Sequence, residues 1–334
     1  MRRRDFIVTF ASVAVFYAPL LARAQEAGKT YRIAIVRPSG PVSEINETDA
    51  QYGPFLGELR QLGYIEGKNL AVERVSADGR FEHYREIVSA VVRSNPDAVF
   101  AFSAQLTLEF KAQTTTIPAV GAVADPLALG IVPSLARPGG NITGEDAEAG
   151  LAMWGKRLGL LKEAIPTLSR VGLLILPDSL GQRGTAVLKE AAEKIGLSLV
   201  DSRLASPLDD AAYRRAFATM VQGGAEAVYV AAQAQHVTNR RVIVELAEQH
   251  SLPAIFANPV YVELGGLMAY SPDWADQFRH GAQQIDQILK GTMPGDIPFY
   301  QGRKFELMIN LKTAKALGIE IPNSILAQAD EVIE

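Results

Sequence analysis

Ten polar or aromatic residues lie at or near the ends of short apolar runs, and their types suit noncovalent capture of a small charged solute. They are Ser39, Ser103, Gln105, Asp125, Asp178, Ser179, Gln233, Asn258, Tyr261 and Tyr270. Serines in front of a helix can bring a carboxylate to free backbone N–H groups, and aspartates can pair with an ammonium. Amides donate and accept hydrogen bonds, and tyrosines can stack on an aromatic or apolar part of a ligand.

Each of these residues also has a purely structural interpretation. The serines can cap helices, and the aspartates can cap helices or form turns. The amides can simply be solvated, and Tyr270 can pack in a core or at a hinge. The sequence leaves both interpretations open for every one of them.

Motifs for covalent, metal or cofactor chemistry are missing from the sequence. It contains neither Gly-x-x-x-x-Gly-Lys nor Gly-x-Gly-x-x-Gly after a strand, and the serine within 177–181 lacks the first glycine of a nucleophile elbow. His83, His236, His250 and His280 lack the spacing of metal ligands, and we expect solvated or packed structural roles for them. The sequence therefore predicts no enzyme, no metal and no cofactor.

Three apolar runs recur in the same order in the two halves of the chain. The runs at 31–36, 97–105 and 117–122 parallel those at 171–176, 226–233 and 252–257. Continuous apolar runs of this length are typical of strands buried on both faces of a parallel sheet, and spacings of three and four between them predict amphipathic helices. This alternation predicts two doubly wound, Rossmann-like α/β lobes, with a bend at the Gly- and Pro-rich stretch 137–144.

Ligands of open parallel sheets bind outside the carboxyl ends of the strands. If the two lobes face each other, those ends line a shared cleft. The ten candidate residues then converge on one site, although they are far apart in sequence.

The first 24 residues predict a cleavable export signal. A basic start with Arg2, Arg3 and Arg4 precedes an apolar run of 15 residues, and Ala22-Arg23-Ala24 suits a cleavage site. The run is shorter than the ~20 residues of a membrane-spanning helix. Residues 3–7 also resemble the twin-arginine motif, so the Sec and twin-arginine routes both stay open.

Composition narrows the compartment and the partners. Loss of the signal removes four arginines and one aspartate, and the formal charge of −4 becomes −7. An acidic chain without a basic block argues against nucleic acid and against anionic membrane surfaces as partners. Cysteine is absent, which excludes disulfides, a thiol nucleophile and a lipid anchor at the signal junction. We therefore expect a periplasmic monomer whose mature chain does not enter the membrane.

Four stretches resemble the ABC-transporter substrate-binding proteins of the type I periplasmic class, and within it the tryptophan/tyrosine-type branch. They are 124–126, 138–144, 265–270 and 305–318, of which the last is long and specific. The resemblance implies three crossings between the lobes, near Asn141, Leu267 and Pro298. Lobe one would be 30–141 plus 268–297, and lobe two 142–267 plus 298–334, with the ligand cleft between them.

The resemblance also implies a function. A receptor of this kind closes its lobes around a small carboxylate-bearing solute, such as an aromatic amino acid or a related compound, and delivers it to the membrane permease subunits of an ABC importer. The permease and ATPase would be separate chains. An exported sensor module of the same fold is an alternative, and an exported α/β hydrolase is a second one that the missing motifs disfavour.

Overall fold

Two α/β lobes make up the computed structural model, which describes residues 28–334 apart from 147, 149–151, 177–180, 203 and 206. The predicted export signal at 1–24 and the candidates Asp178 and Ser179 lie outside the described residues. Among those residues, no helix combines the length and apolarity needed to cross a membrane.

The strands are short, and most of them are buried. In chain order they are β1 (Tyr31–Arg37), β2 (Leu70–Ser76), β3 (Ala98–Ala101), β4 (Ala119–Val123), β5 (Ile142–Asp146), β6 (Arg170–Leu174), β7 (Ser198–Asp201), β8 (Ala227–Val230), β9 (Ala254–Phe256), β10 (Met268–Pro272), β11 (Tyr300–Gln301), β12 (Phe305–Asn310) and β13 (Glu331–Ile333).

The two sheets share the order and parallel direction of their first five strands. Lobe one is built on a parallel sheet of order β2-β1-β3-β4-β5-β11, and lobe two on a sheet of order β7-β6-β8-β9-β10-β12-β13. Among the described strands of lobe two, only β10 and β12 are antiparallel neighbours. Strands β1, β3 and β4 correspond to β6, β8 and β9, which confirms the repeat and the doubly wound α/β fold class.

Helices connect the strands and cover the sheets. They are α1 (Tyr52–Gln61), α2 (Tyr84–Ser94), α3 (Ala104–Gln113), α4 (Ala152–Ala164), α5 (Gly181–Lys194), α6 (Asp210–Gln222), α7 (Ala234–Thr238), α8 (Arg240–Gln249), α9 (Val260–Glu263), α10 (Trp274–Leu289), α11 (Leu311–Ala316) and α12 (Asn323–Leu326). Short 3-10 turns add Val42–Glu44, Phe81–His83 and Pro294–Asp296.

Both faces of each sheet are buried, which explains the continuous apolar runs. In β1, Ile33 and Ile35 pack with α1 and α10, while Ala34 and Val36 pack with α2 and α3 on the opposite face. In β8 of lobe two, Tyr229 likewise points away from its neighbours in the strand and joins the core beneath α4. Alternating side chains therefore enter two separate cores, and neither face is left polar.

The chain crosses between the lobes three times, but each crossing lies one strand later than predicted. The predicted points were Asn141, Leu267 and Pro298. Those residues precede β5, β10 and β11, and each of these strands still extends the sheet that the chain is about to leave. The predicted boundaries are therefore wrong: 142–146 and 298–301 belong to lobe one, and 268–272 belongs to lobe two.

The glycines that predicted a bend at 137–144 serve strand β5 instead. Gly139 and Gly140 have φ of +67° and +69° and turn the chain into the strand. Gly144 has φ of +153° and pairs with Gly121 of β4, where the two backbones approach closely. Asn141 holds the same turn, since its amide donates to the carbonyls of Thr114 and Ile117.

Polar contacts link the three crossings. Nε2 of Gln301 donates to the carboxylate of Asp146 at 3.4 Å, which joins the ends of β11 and β5. Nζ of Lys304 lies 2.8 Å from the carboxylate of Asp273, whose backbone N–H donates to the carbonyl of Lys304. The second and third crossings are thereby held side by side at the base of the cleft.

Candidate ligand-binding site

A cavity of about 1010 Å³ lies between the lobes and is lined by residues of both. Its walls come from the carboxyl ends of β1, β3 and β4 in lobe one and of β8 and β9 in lobe two, together with the helices that follow them. This volume is at the upper end of the range for small-molecule sites.

In lobe one, three predicted site residues line the cavity. Ser39 lies in the loop after β1, and Ser103 and Gln105 lie where β3 passes into α3. Ser103 is the N-cap of α3, because its Oγ accepts from the N–H of Leu106 at 3.4 Å. Ser103 therefore both caps α3 and lines the cavity.

In lobe two, three further predicted residues line the cavity. Gln233 precedes α7, and Asn258 precedes α9 with its Oδ1 accepting from the N–H of Val260 at 3.0 Å. Tyr261 is only 1 % exposed and stacks on Phe256, with ring centroids 4.5 Å apart. Burial raises the pKa of Tyr261, and its hydroxyl has no hydrogen-bond partner among the described residues.

Two of the described candidates lie away from the cavity lining. Asp125 has φ of +48° and caps the turn after β4, where its Oδ1 accepts from the N–H of Ala128 at 3.0 Å. Tyr270 lies in β10, and its ring packs against that of Phe305. In this structure Asp125 forms a turn, and Tyr270 packs next to a crossing.

Aromatic side chains that were not among the candidates face the cavity from both lobes. Phe102 and Trp274 line it from lobe one, with ring centroids 5.5 Å apart in an edge-to-face arrangement. Trp154, at the start of α4, lines it from lobe two. No local pattern marks these three residues, because they meet only once α4 and α10 are placed by the crossings.

A buried ion pair, also missed in the sequence, supports the wall formed by lobe two. Nη1 of Arg157 lies 2.6 Å from Oε2 of Glu148, and the two side chains are 0 % and 3 % exposed. The same oxygen accepts from Nε1 of Trp154 at 2.9 Å. Glu148 and Trp154 both line the cavity, so Arg157 fixes two groups of the wall from behind.

Arg37 organises the opposite wall. Its guanidinium donates to the carboxylate of Glu44 at 2.9 Å and to the carbonyl of Pro41 at 3.0 Å, and lies 5.3 Å from the ring centroid of Tyr52. Burial is the main cause that raises the pKa of Tyr52, so its hydroxyl stays neutral. These contacts shape the loop that carries Ser39.

One histidine, His236, has a packed structural position in lobe two. His236 is 0 % exposed, its Nδ1 is 2.9 Å from the hydroxyl of Tyr213, and burial lowers its pKa to about 3. It is therefore neutral at physiological pH. In the part of the chain that the structure describes, no group of three or more His, Asp or Glu side chains could hold a metal ion.

Comparison with known proteins agrees with this architecture. A curated tyrosine-binding protein of Clostridioides difficile is 24 % identical over 268 residues, which cover 80 % of this chain and 76 % of that protein. A crystal structure of a conserved domain protein from Vibrio cholerae has a TM-score of 0.81 and 27 % identity, covering 91 % of this chain and 100 % of that one.

A second crystal structure shows the same fold with a ligand. It is an ABC domain in complex with L-Trp from Streptococcus pneumonia, with a TM-score of 0.81, 23 % identity, and coverage of 91 % of this chain and 100 % of that one. The model of the family described as ABC transporter substrate binding protein matches residues 41–333, nearly all of the described structure. The chain therefore belongs to the ABC transporter substrate binding proteins, a class of binding proteins and not of enzymes.

Proposed function

We propose that this protein captures an aromatic amino acid, or a close relative of one, and delivers it to an ABC importer. The observation that carries the proposal is the aromatic lining of the cavity on both walls, by Phe102 and Trp274 from one lobe and by Trp154 and Tyr261 from the other. Aromatic rings stack edge-to-face or offset, so such walls favour a flat ring between them. The tyrosine-binding and L-Trp-bound relatives support the same ligand class.

The polar candidates supply the other half of the site. Ser103 and Gln105 lie at the N-terminus of α3, where free N–H groups favour a ligand carboxylate, and Ser39 lies nearby on the same wall. Gln233 and Asn258 present amides from lobe two. A ligand that touches both walls stabilises the closed arrangement, so binding shifts the population of lobe orientations.

The proposal includes location and partners. The export signal predicted at 1–24 would carry the mature chain to the periplasm, by the Sec or the twin-arginine route. There it would act as a monomer and pass its solute to separate permease subunits. Within the described residues it has no membrane-spanning helix of its own.

Calorimetric titration of the mature protein with L-tryptophan and L-tyrosine tests the ligand class. We expect saturable binding of at least one of them, and L-leucine serves as the aliphatic comparison. X-ray scattering should show a smaller radius of gyration at saturation, because the lobes close. Absence of binding, or an unchanged radius with bound ligand, would contradict the proposal.

Phe102→Leu tests the aromatic wall. Leucine keeps an apolar side chain but removes the ring, and an aromatic pair contributes about 0.5–1.5 kcal/mol beyond its buried area, so affinity should fall roughly 2- to 10-fold. Phe110→Leu is the matched control, since Phe110 is 0 % exposed in the core of lobe one and is not among the lining residues. Equal affinities of the two variants would argue against stacking at Phe102.

A further inference from the structure

Among the described residues, six carboxylates line the cavity, and that of Glu148 is the most deeply buried of them. They are Glu44, Asp49, Glu148, Glu263, Asp273 and Glu306. The side chain of Glu148 is 3 % exposed, whereas those of Glu44 and Glu306 are 49 % and 46 % exposed, and Glu263 is exposed as well. Water therefore screens the charge of Glu148 least among these four.

The remaining two carboxylates have structural partners. Asp49 accepts from the N–H groups of Gln51 and Tyr52 at 2.9 and 2.8 Å, where it starts α1. Asp273 pairs with Lys304 at 2.8 Å and accepts from the N–H of Asp276 as the N-cap of α10. Both are committed to holding a helix start or a crossing.

Glu148 is held rigidly, but one of its oxygens retains acceptor capacity. Oε2 receives Nε1 of Trp154 at 2.9 Å and Nη1 of Arg157 at 2.6 Å. Among the described residues, Oε1 receives only Nη2 of Arg157, at 3.3 Å. An ionised carboxylate offers about four lone-pair sites, so Oε1 can accept a further donor.

Arg157 cannot move away from Glu148 without losing its contacts with two strands. Its Nε donates to the carbonyl of Tyr270 in β10 at 2.7 Å, and its Nη1 lies 3.3 Å from the hydroxyl of Tyr229 in β8. The guanidinium is thus anchored to two strands of lobe two. It compensates the charge of Glu148 and fixes the direction of the carboxylate.

We propose that Oε1 of Glu148 receives the ammonium of the bound ligand, so that the site selects α-amino acids over the corresponding acids without an amino group. The assignment rests on the proposed function, because it presumes an amino acid in this cavity. Trp154 donates to the other oxygen of this carboxylate, Oε2. An aromatic side chain and an ammonium acceptor therefore lie side by side in lobe two. With the ligand carboxylate at α3, the two charged ends of the zwitterion would bind opposite lobes, and both contacts would form only on closure.

Glu148→Gln tests the assignment with two probes, L-tryptophan and indole-3-propionate, which lacks the ammonium. The variant should bind L-tryptophan about 100-fold more weakly, the size expected when a buried charge pair loses one partner. Its affinity for indole-3-propionate should stay within about twofold of the wild-type value. An equal loss for both probes, or a loss for neither, would overturn the assignment.

A second variant separates ligand recognition from folding. Glu148→Gln alone leaves Arg157 buried without a counter-charge, whereas the double variant with Arg157→Met removes both charges at similar volume, an exchange that folded proteins often tolerate. The double variant should also lose the preference for L-tryptophan over indole-3-propionate. If it keeps the wild-type preference, Glu148 does not bind the ammonium.

The two proposals fail in different ways. If the wild type binds neither probe, nor L-tyrosine, the proposed function is wrong and the assignment falls with it. If the wild type binds L-tryptophan and Glu148→Gln binds it equally well, only the ammonium assignment is wrong.

Discussion

Gly144→Ala should destabilise the protein by about 4 kcal/mol or more, a size that indicates a specific steric cause. Gly144 lies in β5 with φ of +153°, a conformation that residues with a side chain rarely adopt. A Cβ at this position would overlap the carbonyl oxygen of its strand partner Gly121. Because the backbone fixes the position of a Cβ and the atom that it meets is also backbone, no side-chain rearrangement can relieve the clash.

Gly121 itself has little freedom to retreat. A Cβ there would lie 2.5 Å from Oγ1 of Thr107 in α3, so the helix already packs tightly against β4. The carbonyl of Gly144 also accepts from Nε2 of Gln284 in α10 at 3.0 Å. Movement of β5 would therefore disturb its contact with β4 and its hydrogen bond to α10.

Gly57→Ala is the matched control. Gly57 lies within α1, and a Cβ there would meet nothing within 4 Å. Alanine in place of glycine inside a helix is favourable by roughly 1 kcal/mol, so this control should raise the thermal midpoint slightly. Thermal unfolding followed by circular dichroism measures both variants. A midpoint of Gly144→Ala equal to that of the wild type would show that β5 can separate from β4 at no cost.

Most of the fold could be predicted from the sequence, because buried parallel strands have a local signature. The runs that became β1, β3 and β4 recur as β6, β8 and β9, since each lobe buries both faces of its sheet. The bend expected at 137–144 was misplaced because glycine at 139, 140 and 144 indicates an unusual backbone conformation but not what that conformation is for. Here it serves a turn and a close strand contact, and the hinge follows β5.

The cavity could be predicted only in part. Ser39, Ser103, Gln105, Gln233, Asn258 and Tyr261 were found through one topological rule, that sites lie at the carboxyl ends of parallel strands. Phe102, Trp154 and Trp274 were not found, because their meeting depends on where the crossings place α4 and α10. The ion pair of Glu148 and Arg157 was not predicted for a similar reason, since the sequence shows which residues are charged but not which of them are buried together.

Glu145→Gln should remove a large part of the pH dependence of stability. Glu145 is 1 % exposed in β5, and neither of its oxygens has a side-chain hydrogen-bond partner among the described residues. Burial is the main cause that raises its pKa well above the ordinary value, and the charge of Asp276 in α10 adds to it. Gln277 and Gln284 share this buried face of α10, and Tyr300 in β11 is a further titratable neighbour.

The sign follows from the protons bound in each state. Between the unfolded pKa near 4.5 and the raised folded pKa, the folded protein holds a proton on Glu145 that the unfolded chain releases. Its contribution to stability is therefore complete below pH 4.5 and is lost as pH rises, by about 1.4 kcal/mol per pH unit until the folded pKa is reached. Glutamine imitates the neutral acid, so the variant should gain stability relative to the wild type as pH rises above 5, until the folded pKa of Glu145 is reached.

Urea unfolding of both proteins at pH 5, 6, 7 and 8 measures this difference. Glu226→Gln is the flat control, because the N–H groups of Ser169 and Arg170 lower the pKa of Glu226 below its ordinary value of 4.5. Its stabilisation is lost only as pH falls below that value, so the difference between Glu226→Gln and the wild type should stay constant from pH 5 to pH 8. A constant difference between Glu145→Gln and the wild type across this range would mean that Glu145 titrates normally in the folded protein. In that case water would reach the carboxylate of Glu145 between β5 and α10. These two elements would then separate far more readily than their packing indicates.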